Sequence, residues 1–240
     1  LKGRAFCFIC GHALSWYDLL PLVSFIIQKG RCRYCGARIS SQYPLVEFIT
    51  GILFVIIFIK INPLFSFYYL LLTTYYLLIF TILLAIAAYD IRHKIIPNTF
   101  VYFFISLSFA GIFIAHNSLF LIHNLLAGPA LALPFAALWL VSDGKWVGFG
   151  DVKLALGIGW LLGISSGFAA VILAVWTGAA AGLSLIALSY GARETRRLFP
   201  GFKKFTIKSE IPFAPFLILG TLLSFLFDIS FADIQSLFLF

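Results

Sequence analysis

Of the nine acidic residues in this 240-residue chain, two stand where a carboxyl group is expensive. Asp90 closes a long apolar run in Ala87-Ala-Tyr-Asp90-Ile-Arg-His-Lys94, and Asp151 opens another in Gly148-Phe-Gly150-Asp151-Val-Lys153. Ionisable groups at the edge of apolar segments are functional candidates by default. Two carboxyl groups facing one site can share a proton, one activating water while the other donates to a scissile carbonyl or leaving amine. The glycines before Asp151 would permit close approach of another backbone, or φ values that other residues resist. The same aspartates equally suit helix caps or ion pairs with Arg92 and Lys153, because structural pairs also populate such edges. Asp143, in Ser142-Asp143-Gly144-Lys145, reads as a solvated turn.

The second constellation is Cys7-Phe-Ile-Cys10-Gly11 repeated as Cys32-Arg-Tyr-Cys35-Gly36. Thiolates three positions apart can share one tetrahedral ion, and four of them close every coordination position, so the expectation is structural Zn2+. Each following Gly suits the left-handed turn of a zinc knuckle. Disulfides or free thiols are the other readings, and a reducing compartment disfavours a disulfide. His12 reads as a surface residue.

The elements that must hold these groups are greasy. The chain is 62% hydrophobic and 11% charged, which excludes an ordinary soluble domain. Apolar runs divide it into seven spans: 44–61, 64–90, 97–116, 119–141, a short 150–164, 167–190 and 212–227. Breaks are expected at Asn62-Pro63 and His116-Asn117-Ser118. The resulting fold class is an all-α integral membrane protein, a multi-span helical bundle (residues 44–240) preceded by a small zinc-binding module (residues 1–43). Alternate connections carry 16 of the 17 Lys and Arg residues, Lys60 being the exception. The positive-inside rule therefore makes residues 1–43, 90–96, 142–153 and 190–211 cytoplasmic. A positive surplus on one membrane face points to anionic lipid and not to nucleic acid.

With these residues in view the chain resembles the type IV prepilin peptidases, bifunctional leader peptidases and N-methyltransferases among the membrane Gly-x-Gly-Asp aspartyl proteases. The paired cysteines flank Trp16-Tyr-Asp18-Leu-Leu-Pro21-Leu, and Tyr43-Pro-Leu-Val-Glu47 follows them. Asp90-Ile-Arg-His93-Lys-Ile-Ile-Pro97, Gly148-Phe-Gly150-Asp151-Val-Lys153 and Ile211-Pro-Phe-Ala-Pro-Phe216 keep the family's order. The resemblance implies Asp90 and Asp151 as the catalytic pair, supported by Pro97, Gly148, Gly150 and Lys153, with zinc on Cys7, Cys10, Cys32 and Cys35. It implies cleavage of the basic leader of type IV prepilins or pseudopilins at the cytoplasmic face of a bacterial inner (plasma) membrane. Methylation of the new N-terminus with S-adenosylmethionine, and an association of Glu47 with it, also come from the resemblance alone. Asn98 stands where an acidic residue is common, and Ala214 where Gly is common. The family places one further transmembrane helix ahead of the cysteines, so the resemblance implies eight spans and sequence upstream of Leu1. Two rivals are a presenilin-type Gly-x-Gly-Asp protease and a non-enzymatic transporter or scaffold with an Asp proton path. The first would carry a late Pro-Ala-Leu and no Cys-x-x-Cys module. The second would place ionisable groups mid-span, where His123 is the candidate.

Overall fold

The computed structural model describes residues 5–61, 66–115, 121–190 and 212–236. Among these the chain forms a 3-10 turn, Trp16–Leu19, and eight helices: α1 Val23–Ile27, α2 Gln42–Ile61, α3 Phe67–His93, α4 Asn98–Ala115, α5 Leu121–Val141, α6 Phe149–Tyr190, α7 Ala214–Phe227 and α8 Phe231–Ser236. Helices α2, α3, α5 and α6 are long and apolar enough to cross a membrane, while α4 and α7 are apolar but shorter. The fold class read from composition, an all-α membrane protein, is the one observed. The expected breaks at Asn62-Pro63 and His116-Asn117-Ser118, and the basic segment from 191 to 211, lie outside the described residues.

Two boundaries differ instructively from the sequence reading. The second span was expected to end at Asp90, yet α3 continues to His93. Lys94 then adopts φ 53 and its N–H returns to the Asp90 carbonyl at 2.8 Å, a left-handed helix stop followed at Pro97 by a residue that cannot continue a helix. The fifth and sixth spans were expected to part near Ser165. The break is Gly163, at φ 79 and ψ −179 inside α6. It is a reversal, because a Cβ on Gly167 would lie 3.8 Å from the Cα of Gly159, whereas eight residues of straight helix span about 12 Å. Thus α6 is a hairpin with arms 149–162 and 164–190, and only glycine takes that turn without strain.

The chain forms two compact units, Leu1–Leu77 and Leu78–Phe240, divided within α3. In the first, each cysteine pair folds as a small hairpin closed by an isolated bridge, Phe6 to Ala13 and Arg31 to Arg38. The sequence repeat thereby becomes a structural one: Gly11 (φ 68) and Gly36 (φ 71) donate N–H to the Cys7 and Cys32 carbonyls. Asp18 ties the repeat together. Its buried carboxylate accepts hydrogen bonds from the Ser15 N–H, Gln28 Nε2 and Tyr34 Oη at 3.0 to 3.3 Å, and Arg33 Nε stands 3.3 Å away.

In the second unit each helix buries one stripe at helical spacing. On α3 the stripe is Ile79, Leu83, Ile86 and Asp90; on α4 it is Val101, Phe104, Ser108 and Ile112; on α7 it is Ala214, Leu217, Thr221 and Ser224. Small residues let helices meet closely, as expected where packing rather than hydrophobicity holds helices together. Phe104 of α4 fills the space over Gly157, and the α5 backbone at Ala127 and Gly128 lies against Gly159. The second arm of α6 runs antiparallel to α7, with Gly178 facing Phe216, Ala170 and Ala174 facing Gly220, and Ser224 Oγ donating to the Ser166 carbonyl at 2.9 Å. Helix α5 tolerates two internal prolines, Pro129 and Pro134. Pro129 has no N–H for the Leu125 carbonyl, and Trp160 Nε1 of α6 supplies the missing donor at 2.9 Å.

Candidate active site and cysteine cluster

Asp90 and Asp151 are both buried because each falls on the packed stripe of its helix. Asp90 continues the Ile79-Leu83-Ile86 row through the last turn of α3, and Asp151 starts the row that runs on through Ala155 and Ile158 in α6. The two carboxyl groups lie within Coulombic range of each other. Among the described residues neither forms an ion pair with Arg92 or Lys153, so the ion-pair alternative is not what the structure shows. Lys153 Nζ instead donates to Asn98 Oδ1 at 2.9 Å and lies over the Tyr102 and Phe149 rings. Asn98, the departure at this position, is therefore the neutral partner of the motif lysine.

Each carboxyl has a backbone donor. The Gly148 N–H addresses Asp151, whose own N–H returns to the Gly148 carbonyl at 3.0 Å. The Ala214 N–H, at the start of α7, addresses Asp90. Asp151 Oδ1 is buried without a hydrogen-bond partner, an acceptor open to a proton, water or substrate group. Neither motif glycine adopts positive φ, which corrects one of the two reasons offered for them. Gly150 serves close approach, of a side chain rather than a backbone: a Cβ there would stand 2.9 Å from the Ile96 side chain. Ile96 belongs to the loop that ends the Asp90 motif, so Gly150 is where the two motifs touch. Pro97 follows directly and its carbonyl accepts the first bond of α4, from the Val101 N–H at 3.2 Å.

Sequence reading did not assign roles to Ile96 or Ala214. The available signal was Pro212 and Pro215 bracketing a helix start, which fixes where an N–H row must begin. Asp143 is exposed at φ 49 in a turn, as read. His123 is exposed at the third residue of α5 and not mid-helix, which removes the residue on which a mid-span proton path leaned.

In the other unit the four Sγ atoms of Cys7, Cys10, Cys32 and Cys35 lie within 4.8 Å of one another, with Cys7 and Cys35 at 3.9 Å and no disulfide. Sulfurs around a tetrahedral zinc at about 2.3 Å would be about 3.8 Å apart, so size and donor chemistry both fit. The backbone N–H groups of Cys10 and Ile9 hold the Cys7 thiol down at about 6. Cys35 is pushed up to about 12: the Ala37 N–H pulls it down, but partial desolvation and the neighbouring sulfurs prevail. Four thiolates this close repel, and a cation is what reconciles them. His12 is outside the cluster and stacks on Tyr34 with ring centroids 3.7 Å apart. Glu47, in the second turn of α2, accepts the Leu22 N–H on Oε2 at 2.9 Å. It therefore caps α1 and not its own helix.

Two protein-family models and several curated relatives match the chain. The model of the bacterial peptidase A24 N-terminal domain matches residues 1–61, and that of the type IV leader peptidase family matches residues 77–183. A Bacillus subtilis protein named prepilin leader peptidase/N-methyltransferase is 30% identical over 227 residues, covering 95% of this chain and 83% of that protein. Proteins of the same name from Myxococcus xanthus and Vibrio cholerae are 32% and 30% identical, over 67% and 68% of this chain but 41% and 63% of their own lengths. No solved structure matches.

Proposed function

This chain belongs to the type IV leader peptidase family, and from that premise we propose that it is an aspartic endopeptidase with Asp90 and Asp151 as its catalytic pair. The substrates are type IV prepilins or pseudopilins, cut after a basic leader. The observation that carries the reading is the burial of two carboxyl groups within Coulombic range on the packed stripes of α3 and α6, one with an unpartnered oxygen. Packing stripes are the last place for carboxyl groups with only a structural role, because burying a charge there costs stability.

With one proton between them, the ionised carboxyl takes a proton from water as the water oxygen attacks the scissile carbonyl, and the protonated one gives its proton to the carbonyl oxygen. Collapse of the tetrahedral intermediate breaks the C–N bond, and the proton gained from water passes to the leaving amine. The Gly148 and Ala214 N–H groups hold the two carboxyl groups in place through this exchange.

The remaining parts follow the same reading. Residues 1–43 form a module that structural Zn2+ on the four cysteines stabilises, and residues 44–240 form the peptidase domain. Both active groups and the zinc module face the cytoplasm of a bacterial inner membrane, where the basic connections meet anionic lipid; nucleic acid has no part. Seven spans in this chain satisfy that sidedness. S-adenosylmethionine would supply the methyl group for N-methylation of the mature N-terminus, the second activity in the relatives' name, with Glu47 the associated residue. The presenilin-type and transporter readings are not favoured, given the cysteine cluster and the family match.

The test incubates solubilised protein with a prepilin and a labelled methyl donor, comparing wild type with Asp90→Ala and Asp151→Ala. Loss of cleavage in both variants is expected. Normal cleavage by either would defeat the dyad, and cleavage without label transfer would remove the methyltransferase alone.

A further inference from the structure

The cysteine module carries an apolar face that a water-facing domain has no use for. Trp16, Leu19 and Leu20 of the 3-10 turn are exposed, as are Val23, Ile26 and Ile27 of α1, with Trp16 at 76% and Ile26 at 72%. Spacings of three and four residues put Val23, Ile26 and Ile27 on one side of α1. Phe25 is on the other side, folded in against Gly30. The sequence thus spends its one inward aromatic on the module and turns three branched residues outward. Contiguous exposed apolar surface of this kind marks an interaction site.

The occupant is indicated by how this face is fixed. The Leu22 N–H at the start of α1 bonds to Glu47 Oε2 at 2.9 Å, and Glu47 lies five residues into α2, a helix apolar enough to cross a membrane. At 1.5 Å per residue that is about 7 Å along the axis, so α1 sits level with the entry of a membrane span. Lys29, Arg31 and Arg38, all exposed, follow on the same module. Branched apolar residues and a Trp at the depth of a span entry, with cations beside them, match an interfacial helix on an anionic bilayer.

We propose that the 16–27 edge is a membrane-insertion face that lays the cysteine module onto the anionic bilayer surface, with Glu47 clamping it at that depth. The inference rests on α2 crossing a membrane and not on the peptidase reading. Three of the apolar side chains enter the headgroup and upper acyl region, and the cations meet lipid phosphates.

The full chain is placed in lipid discs whose phosphatidylglycerol is brominated near the top of the acyl chain, and the Trp16 contribution to fluorescence is taken as wild type minus Trp16→Phe. Quenching of most of that contribution is expected, more strongly than in brominated phosphatidylcholine discs. It should be lost in an Ile26→Glu/Ile27→Glu variant whose zinc content matches wild type; if that variant loses its metal, Ile26→Gln/Ile27→Gln takes its place. Aqueous acrylamide quenching Trp16 while brominated lipid does not would overturn the proposal. So would lipid quenching that disappears when a prepilin is added, because the face would then belong to the substrate. Failure of the cleavage assay leaves this measurement intact, so the two readings fail separately.

Discussion

Replacing Gly220 by Ala adds one methyl group to the middle of the α6–α7 contact and should be felt at the proposed active site. A Cβ there would collide with the Ala170 carbonyl oxygen and lie 2.8 Å from the Ala174 nitrogen. Both are backbone atoms of a helix, so no rotamer can relieve the clash and the helices must separate. Overpacking of this sort costs about 1–3 kcal/mol, offset by up to about 1 kcal/mol of helix propensity gained over Gly. The net is a loss of about 0–2 kcal/mol, which for a chain of this length lowers Tm by up to roughly 8 °C. Gly51 is the internal control. It lies in α2, where a Cβ meets nothing within 4 Å, so Gly51→Ala should raise Tm by roughly 2–4 °C through propensity alone. Because α7 begins with the Ala214 N–H at Asp90, Gly220→Ala should also slow prepilin cleavage, whereas Gly51→Ala should not. Thermal unfolding followed by intrinsic fluorescence, with cleavage rates on the same samples, reads both. A Gly220→Ala protein that gains as much in Tm as Gly51→Ala would refute the packing argument.

Trp160→Phe strands the Leu125 carbonyl that Pro129 cannot satisfy and should destabilise by about 1–2 kcal/mol; a double-mutant cycle with Pro129→Ala, which restores the backbone donor, should shrink that cost, and additive effects would count against the pairing. Asp18→Ala leaves Gln28, Tyr34 and Arg33 without their common acceptor; with half-exposed Arg33 discounted for solvent screening, the module should lose about 2–4 kcal/mol, seen as faster zinc loss to a chelator. With structural zinc on the four cysteines as proposed, chelation of wild type should unfold residues 1–43 and raise thiol reactivity at all four, because a module this small would depend on the metal; unchanged reactivity would exclude zinc there. The Ser230 hydroxyl and N–H hold Asp233 below the usual carboxylate range. That capping contribution is present above the ordinary carboxyl value and lost as pH falls through the lower folded one, so hydrogen-exchange protection of α8 should drop on acidification and Asp233→Asn should abolish the dependence.

How much was legible beforehand follows from the range of the interactions involved. Apolar length fixes α2, α4, α5 and α7 to within a few residues, because a helix that cannot leave backbone groups unpaired in hydrocarbon must run until a breaker stops it. The knuckle repeat was equally legible, its turns depending on Gly11 and Gly36 within five residues of the first cysteine. Where Gly163 reverses the chain was less so: Gly157, Gly159, Gly163 and Gly167 are alike in sequence, and only packing shows that three of them admit neighbours while one turns. The role of Asp18 was hidden for the same reason. Its partners are 3, 10, 15 and 16 residues away, and no local pattern ranks them. Glu47 is a further case, since the N–H it accepts belongs to Leu22, at the start of a helix that no local pattern pairs with it.

The placement of the two aspartates has an electrostatic logic that neither motif contains alone. Asp151 lies in the first turn of α6, where the helix dipole favours an anion, and Asp90 in the last turn of α3, where it does not. A buried carboxylate at a negative helix end should be excluded, yet Asp90 is there. What offsets the mismatch is a third helix: α7 begins at Ala214 and presents its first N–H to Asp90, so each carboxyl faces the positive end of one helix. This explains why the Pro-Phe-Ala-Pro segment must lie where it does, far along the chain from either motif, and why α7 can be short. Its working end is its start, and the Ser224 to Ser166 bond at the other end holds it in register. Lengthening α7 at its C-terminus should therefore be tolerated. Inserting one residue between Phe216 and Leu217 should not be, because with the rest of α7 anchored at Ser224 it would rotate the Ala214 N–H by about 100° away from Asp90 and leave the buried carboxyl at a negative helix end unsupported; full cleavage by such a variant would sink the argument.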